Sequence, residues 1–337
     1  MVRAAIVGIG RWGRTLVGAV QRQSDKFHFV AGHTRTRNKA EAFCAEHGIV
    51  LSESLDDILR DPGIDAVVFA TPHSEHGPQV ERAAAAGKHV FMEKPFTLDR
   101  ASAVRAVDAV TRAGTVLGVA YPRRFHPNMC ELKARIDDGR LGTIAHCYGE
   151  QNAPAGLFMD PASWRALAAE APAGGMTALG VHNLDAMIHL FGEIEEVNAT
   201  SRKRAIGYDA EDTTNVMLGF RSGMSGTLFC SLVTAVSYRL AAFGTKGMAE
   251  LLTPELDFRF SATPDAMPAG RHAAAAPEVI ENRGFNALKA ELEAFAAAIE
   301  GGAAYPIPPQ QIVHGVAAFE AIVRSAAECR PVKVSRE

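Results

Sequence analysis

The stretch IVGIGRWGR, residues 6 to 14, constrains this chain more than any other. An apolar run, residues 3–8, enters Gly8, Gly10 and Gly13 in G-x-G-x-x-G spacing, and an amphipathic stretch, residues 12–23, follows. A strand that turns through glycines into a helix lets backbone approach a pyrophosphate. The helix start then supplies N–H donors and the positive end of its dipole. On that reading Gly8, Gly10, Arg11, Trp12 and Gly13 line a bound dinucleotide. A glycine turn that merely packs is the alternative.

The context favours the first reading. Short apolar runs at 28–32, 66–70, 89–92 and 116–119 alternate with helical patterns at 39–47, 55–59, 78–86 and 101–113. Near-continuous apolar strands separated by amphipathic helices predict a parallel, doubly wound sheet covered on both faces. After Tyr121 the texture changes: a helix at 127–138, an irregular region at 150–176 rich in Ala, Pro and Gly, and a helix at 181–190. Alternating runs from 195 to 260 with glycine turns then predict a mainly antiparallel sheet. Residues 261–282 read as a surface excursion, and helices at 287–300 and 310–328 close the chain. The expected fold is therefore α/β: an N-terminal Rossmann domain, 1–121, and a C-terminal α+β domain, 122–337, with a large open sheet. A single open sheet has one face to cover, which points to a homodimer or homotetramer built on it.

With 337 residues, 47% apolar and 22% charged, and a net charge of −3 without a basic patch, the chain is globular and not a nucleic-acid binder. Five dispersed cysteines form no CxxC pair, which argues against a disulfide framework or a metal site and fits a reducing cytosol. No apolar stretch approaches the ~20 residues of a membrane span. We expect a cytoplasmic protein.

The end of the second strand distinguishes the two nicotinamide dinucleotides. A ribose-binding acid is expected roughly 20 residues beyond the glycines in an NAD site. Here no acid lies between Asp25 and Glu41, and Thr34, Arg35 and Arg37 offer a hydroxyl and cations suited to a 2′-phosphate. NADP is favoured over NAD; a solvated basic loop is the other reading. Ligands of such sheets lie beyond the carboxyl ends of the strands, which selects Thr71, Pro72 and His76 in ATPHSEH and Glu93 and Lys94 in MEKP. An ammonium beside a nicotinamide stabilises negative charge on the oxygen of the reacting carbon. A solvent-exposed Glu93–Lys94 pair is the bland reading.

Together GIGRWG, ATPHSEH, GKHVFMEKP, RRFHP and GGMTALGVHNLD resemble the glucose–fructose oxidoreductase / inositol dehydrogenase / MocA (Gfo/Idh/MocA) family over essentially the whole chain. The resemblance implies an NAD(P)-dependent oxidoreductase that moves a hydride between nicotinamide and a secondary alcohol or carbonyl of a sugar-like substrate. It implies that Lys94 polarises the reacting oxygen and that His182, in G-x-H-x-x-D, is the acid/base. Asp185 lies one helical turn further, placed to bind a substrate hydroxyl or orient the imidazole, with a structural role as the alternative. Many members carry Asp four residues before the His; this chain has Ala178. That loss keeps two further readings open, a catalytically silent NADP-binding regulator and an NAD-dependent glycoside hydrolase. The irregular stretch before His182 is a candidate substrate lid, in which Trp164 would stack and Arg165 contact an anion. Arg124 is a second anion candidate, with structural salt bridges as the alternative for both.

Overall fold

A computed structural model describes residues 1–264 and 276–336. The chain forms two compact units, one of residues 1–122 and 286–316, the other of residues 123–285 and 317–337.

The first unit begins with β1 (Val2–Val7), α1 (Arg11–Val20), β2 (Phe27–His33), α2 (Glu41–His47), β3 (Val50–Leu51) and α3 (Leu55–Arg60). It continues through β4 (Ala66–Phe69), α4 (His76–Ala85), β5 (His89–Met92), α5 (Arg100–Ala113) and β6 (Leu117–Val119). All six strands pair in parallel in the order β3-β2-β1-β4-β5-β6. Every residue of β4 is buried, as a strand covered on both faces requires. α3 and α5 start where the sequence supplies caps: Ser54 and Asp57 form a capping box on α3, and Asp99 accepts from Ser102 on α5. α1, α2 and α4 start without a side-chain cap; the N-cap of α1 is Gly10, and its first turn holds no acid.

The second unit carries α6 (Pro127–Asp137), β7 (Ile144–Asn152), α7 (Val181–Phe191), β8 (Ile194–Arg202), β9 (Thr213–Phe220), β10 (Ser225–Ser231) and β11 (Ser237–Gly244). β12 (Gly247–Leu252), β13 (Asp257–Ala262) and β14 (Glu278–Ile280) complete the run. α8 (Ala287–Ile299) returns to the first unit, α9 (Pro309–Glu328) leads back, and β15 (Val332–Lys333) closes the second sheet. That sheet has nine strands in the order β14-β13-β12-β11-β7-β10-β9-β8-β15; β7 and β10 pair in parallel and the remaining pairs are antiparallel. α7 rests on one face through Gly149: a Cβ there would meet Met187 Cε at 2.6 Å and Asn183 Cβ at 3.4 Å.

The first strands and helices lie where their periodicity places them. The sequence alone assigns residues 286–316 to the second domain, but Phe295 of α8 packs on Phe27 and Phe91, with ring centroids 6.3 and 5.5 Å apart, and the Tyr305 hydroxyl donates to Val119 O at 2.9 Å. The surface excursion at 261–282 contains the end of β13 and all of β14; its middle, 265–275, lies outside the described residues. The irregular region is pinned by its own small core, in which Ala166 and Ala171 pack with Tyr208 and Ala210. Asp212 organises the opposing loop. Burial alone would raise its carboxyl, but hydrogen bonds from Ala205, Arg204, Thr213 and Ile206 outweigh it and hold the group below its ordinary value.

Candidate active site

In the first unit the parallel register sets the carboxyl ends of three neighbouring strands level. Val7 of β1 pairs with Phe69 of β4, and Phe69 with Met92 of β5. Gly8, Ala70 and Glu93 are therefore adjacent along one rim, with Ala70 N donating to Val7 O and Glu93 N to Phe69 O.

The three glycines do different things there. Gly8 has φ +95°, and a Cβ on it would collide with the carbonyl of Ala70. A Cβ on Gly13 would strike the carbonyl oxygen of Gly8, so this glycine seals the helix against the turn. Around Gly10 nothing lies within 4 Å of the Cβ position. The N-terminal N–H groups of a helix have no intrahelical partners, and α1 begins behind a glycine cap with no side chain to serve them. That arrangement fits a dinucleotide pyrophosphate.

Trp12, in the first turn of α1, donates from its indole nitrogen to Glu93 Oε1. Glu93 is 6% exposed, and its other oxygen accepts from the backbone N–H of Lys94 at 3.3 Å. The carboxylate thus ties the glycine turn to the residue after β5, and Lys94 stands half-buried at that strand's end. Thr71 and Pro72 are half-buried on the same rim, and the Thr71 hydroxyl donates to Gln79 Oε1 at 2.6 Å.

His76 is placed differently from its expected cofactor contact. Its ring is fully buried, with Nδ1 2.8 Å from Pro95 O and Nε2 3.2 Å from Thr71 O, so it clips the loops after β4 and β5 together. Beyond β2, Thr34 is half-buried and Arg35 exposed. Arg37 is directed to carboxylates, 3.0 Å from Glu53 and 4.0 Å from Glu41, which leaves Arg35 as the better placed cation of the pair. Arg11 is exposed at the start of α1.

In the second unit His182 is half-buried in the first turn of α7. A π-helical turn, Met176–Gly180, leads into it and contains Ala178; such wide turns recur at functional sites. Asp185 and Arg124 bind each other. Arg124 Nε donates to Oδ2 at 2.8 Å and Nη2 to Oδ1 at 2.6 Å, with both side chains under a tenth exposed. Burial pushes the Asp185 carboxyl up, against the pull of Arg124. His189 stands 3.3 Å from Arg124 Nη1, and burial with the neighbouring guanidinium brings it down to about 4. It is a neutral acceptor at pH 7. Arg124 and Asp185 thus engage each other, which is the salt-bridge alternative for Arg124. Arg165 is exposed, with its guanidinium carbon 4.1 Å from the Trp164 ring centroid.

Three residues that the sequence did not single out for ligand contact come together in the same unit. Arg123 lies over the ring of Tyr238 at 4.3 Å and donates to Gln151 Oε1 at 2.6 Å. Periodicity does not reveal this set, because it joins the turn before α6 to β7 and β11.

Among the described residues there is no cluster of His, Cys, Asp and Glu suited to a metal ion, and no helix long and apolar enough to cross a membrane.

Residues 2–121 match the family model described as "Oxidoreductase family, NAD-binding Rossmann fold", and residues 129–250 match the "GFO/IDH/MocA C-terminal domain". The chain is 31% identical over 261 residues to scyllo-inositol 2-dehydrogenase (NAD(+)) of Bacillus subtilis, covering 73% of this chain and 72% of that protein. It is 29% identical over 342 residues to inositol 2-dehydrogenase of Rhizobium meliloti, covering 99% of both. Its fold matches aldose-aldose oxidoreductase from Caulobacter crescentus, complexed with glycerol, with a TM-score of 0.84 and 26% identity over 98% of this chain and 99% of that one.

Proposed function

Since the chain belongs to the Gfo/Idh/MocA family of oxidoreductases, we propose that it is an NADP-dependent dehydrogenase or reductase acting on a secondary alcohol or carbonyl of a sugar-like substrate. The inositol dehydrogenases and the aldose-aldose oxidoreductase among its relatives support that substrate class. Within the first unit, the observation that carries the reading is the tie from Trp12 to Glu93, which holds Lys94 at the rim of the glycine turn. A bound nicotinamide supplies the hydride acceptor or donor. Lys94 donates a hydrogen bond to the substrate oxygen and stabilises the charge that develops on it. His182 takes the hydroxyl proton in oxidation and returns it in reduction. Ala178 offers no carboxylate to share that work, so the pair acts without a third member.

Thr34 and Arg35 favour the 2′-phosphate, and this proposal differs from the NAD(+) named for the Bacillus relative. Fluorescence titration should give a dissociation constant for NADPH at least ~10-fold below that for NADH, an advantage that Arg35→Ala removes. On a polyol, aldose and ketose panel, Lys94→Ala should lower kcat by roughly 10²–10⁴-fold and leave NADPH affinity within about threefold. An unchanged kcat on a turned-over substrate would sink the mechanism. Tight NADPH binding without turnover of any panel member would favour the silent regulator that Ala178 keeps in view. Glycoside cleavage without net nicotinamide reduction would mark the hydrolase.

A further inference from the structure

The second unit holds a half-buried cation without a matching anion. Arg124 is matched by Asp185, and Arg135 by Glu131 and Glu278. Arg123 has instead two neutral partners, the face of Tyr238 and the amide oxygen of Gln151, and no carboxylate among the described residues lies within ion-pair distance of it. Burial pulls its guanidinium down from the ordinary value. Gln151 and Tyr238 face each other in register across β7 and β11, so they form one platform.

The platform lies beside the helix that carries His182. Gly149, on which Asn183 rests, is two residues from Gln151 along β7 and points to the same face; two residues of strand span roughly 7 Å. Asn183 follows His182 directly and is fully buried, with neither its amide nitrogen nor its oxygen partnered, and the buried Tyr238 hydroxyl is likewise unpartnered. Buried polar groups in native proteins are almost always paired. Water could serve the amide and the hydroxyl, but a half-buried guanidinium held by an aromatic face and one amide oxygen still has donors to offer, and an anion matches its charge.

We propose that Arg123, held by Tyr238 and Gln151, binds the carboxylate of the substrate, and that the substrate is a polyhydroxy acid rather than a neutral polyol. The inference rests on the oxidoreductase reading and narrows its substrate class. A planar guanidinium matches a carboxylate two bonds to two. One cation balances one carboxylate charge, whereas a phosphate would leave a second charge buried. The amide of Asn183 and the Tyr238 hydroxyl then serve the ligand's hydroxyl groups.

The test is calorimetric titration of the NADP⁺-saturated full chain with D-gluconate, D-galactonate and D-mannonate, with the matching neutral hexitols, and with glucitol 6-phosphate. At least one sugar acid should bind roughly 30-fold or more tighter than its hexitol. Arg123→Met should abolish that advantage and change hexitol binding by no more than about threefold. Should Arg123→Met not fold, Arg123→Lys keeps the charge without the fork, and added salt should weaken the acid but not the hexitol. Equal binding of acids and hexitols, equal losses for both in the variant, or tightest binding of the phosphate would each overturn the proposal. Absorbance of the nicotinamide separates this from the function itself. Acid binding through Arg123 without turnover would defeat hydride transfer and keep the anion site, whereas turnover of hexitols alone would do the reverse.

Discussion

Trp12 ties two motifs that the sequence presents 81 positions apart, the glycine turn and the Glu-Lys-Pro element. The Glu93 carboxylate bridges the indole N–H and the backbone N–H of Lys94, so both of its oxygens have a defined direction. A charge-assisted hydrogen bond of this kind fixes geometry more than it adds stability. Under the proposed mechanism, Trp12→Phe should therefore lower kcat about tenfold through a misaimed ammonium, while the melting temperature and NADPH affinity move little. Glu93→Gln retains an acceptor for the indole and should fall between wild type and the phenylalanine variant. Steady-state kinetics on both variants checks this, and a loss confined to KM would show that Trp12 merely lines the cofactor. At this scale the sequence was half legible. Residue type and strand-end position picked out Lys94 and Glu93, because a charged pair at the end of VFM is chemically conspicuous. Partners were hidden. Arg124 and Asp185 are 61 positions apart, and nothing in either motif shows that each neutralises the other. Arg123, next door, was not singled out for ligand contact, and what distinguishes it from Arg124 is what the fold sets beside it.

Elements were read more fully, since periodicity reports burial directly. The strands of the first sheet were legible as unbroken apolar runs, and β8 to β13 as alternation. β3 and β15 escaped because two residues each on a sheet edge carry no period, and the π-helical turn before α7 escaped because its glycines and small residues resemble a loop. The glycine turn offers an element-scale prediction in which three identical substitutions give two outcomes. Gly8→Ala forces a left-handed backbone and a clash with Ala70, and Gly13→Ala drives a methyl group into the Gly8 carbonyl. Each should destabilise the protein by about 1–3 kcal/mol, seen as a lower denaturation midpoint. Gly10→Ala meets open space in the protein and should leave that midpoint unchanged, yet weaken NADPH by at least ~10-fold because its methyl group occupies the approach to the pyrophosphate. If Gly10→Ala bound cofactor normally, the phosphate would have to lie elsewhere.

At the scale of the whole molecule, the second sheet leaves one face to be covered. Register places Tyr148, Thr227, Met217 and Ala241 in one row and His146, Phe243 and Met248 in another, all on the side opposite Gly149 and α7. Met217 is 65% exposed, and Phe229, Phe243 and Met248 are half-buried there. Charge on this face is matched internally, with Arg239 on Glu250 at 2.7 Å and Ser237 and Asn152 on Glu150, so an approaching surface meets apolar groups and satisfied polar ones. A face of that kind suits a second copy of the same sheet, related by a twofold axis that brings each row onto its counterpart. We expect the chain to run as a dimer or tetramer in light scattering at micromolar concentration. The paired change Met217→Glu and Phe229→Glu should yield monomers, because like charges would face each other across the axis without solvent. NADPH affinity should be unaffected in that variant, since the cofactor residues proposed above lie in the first unit. A wild-type monomer at tens of micromolar would show that the apolar rows of this sheet are left to solvent, and the argument from its one-sided burial would fail with it.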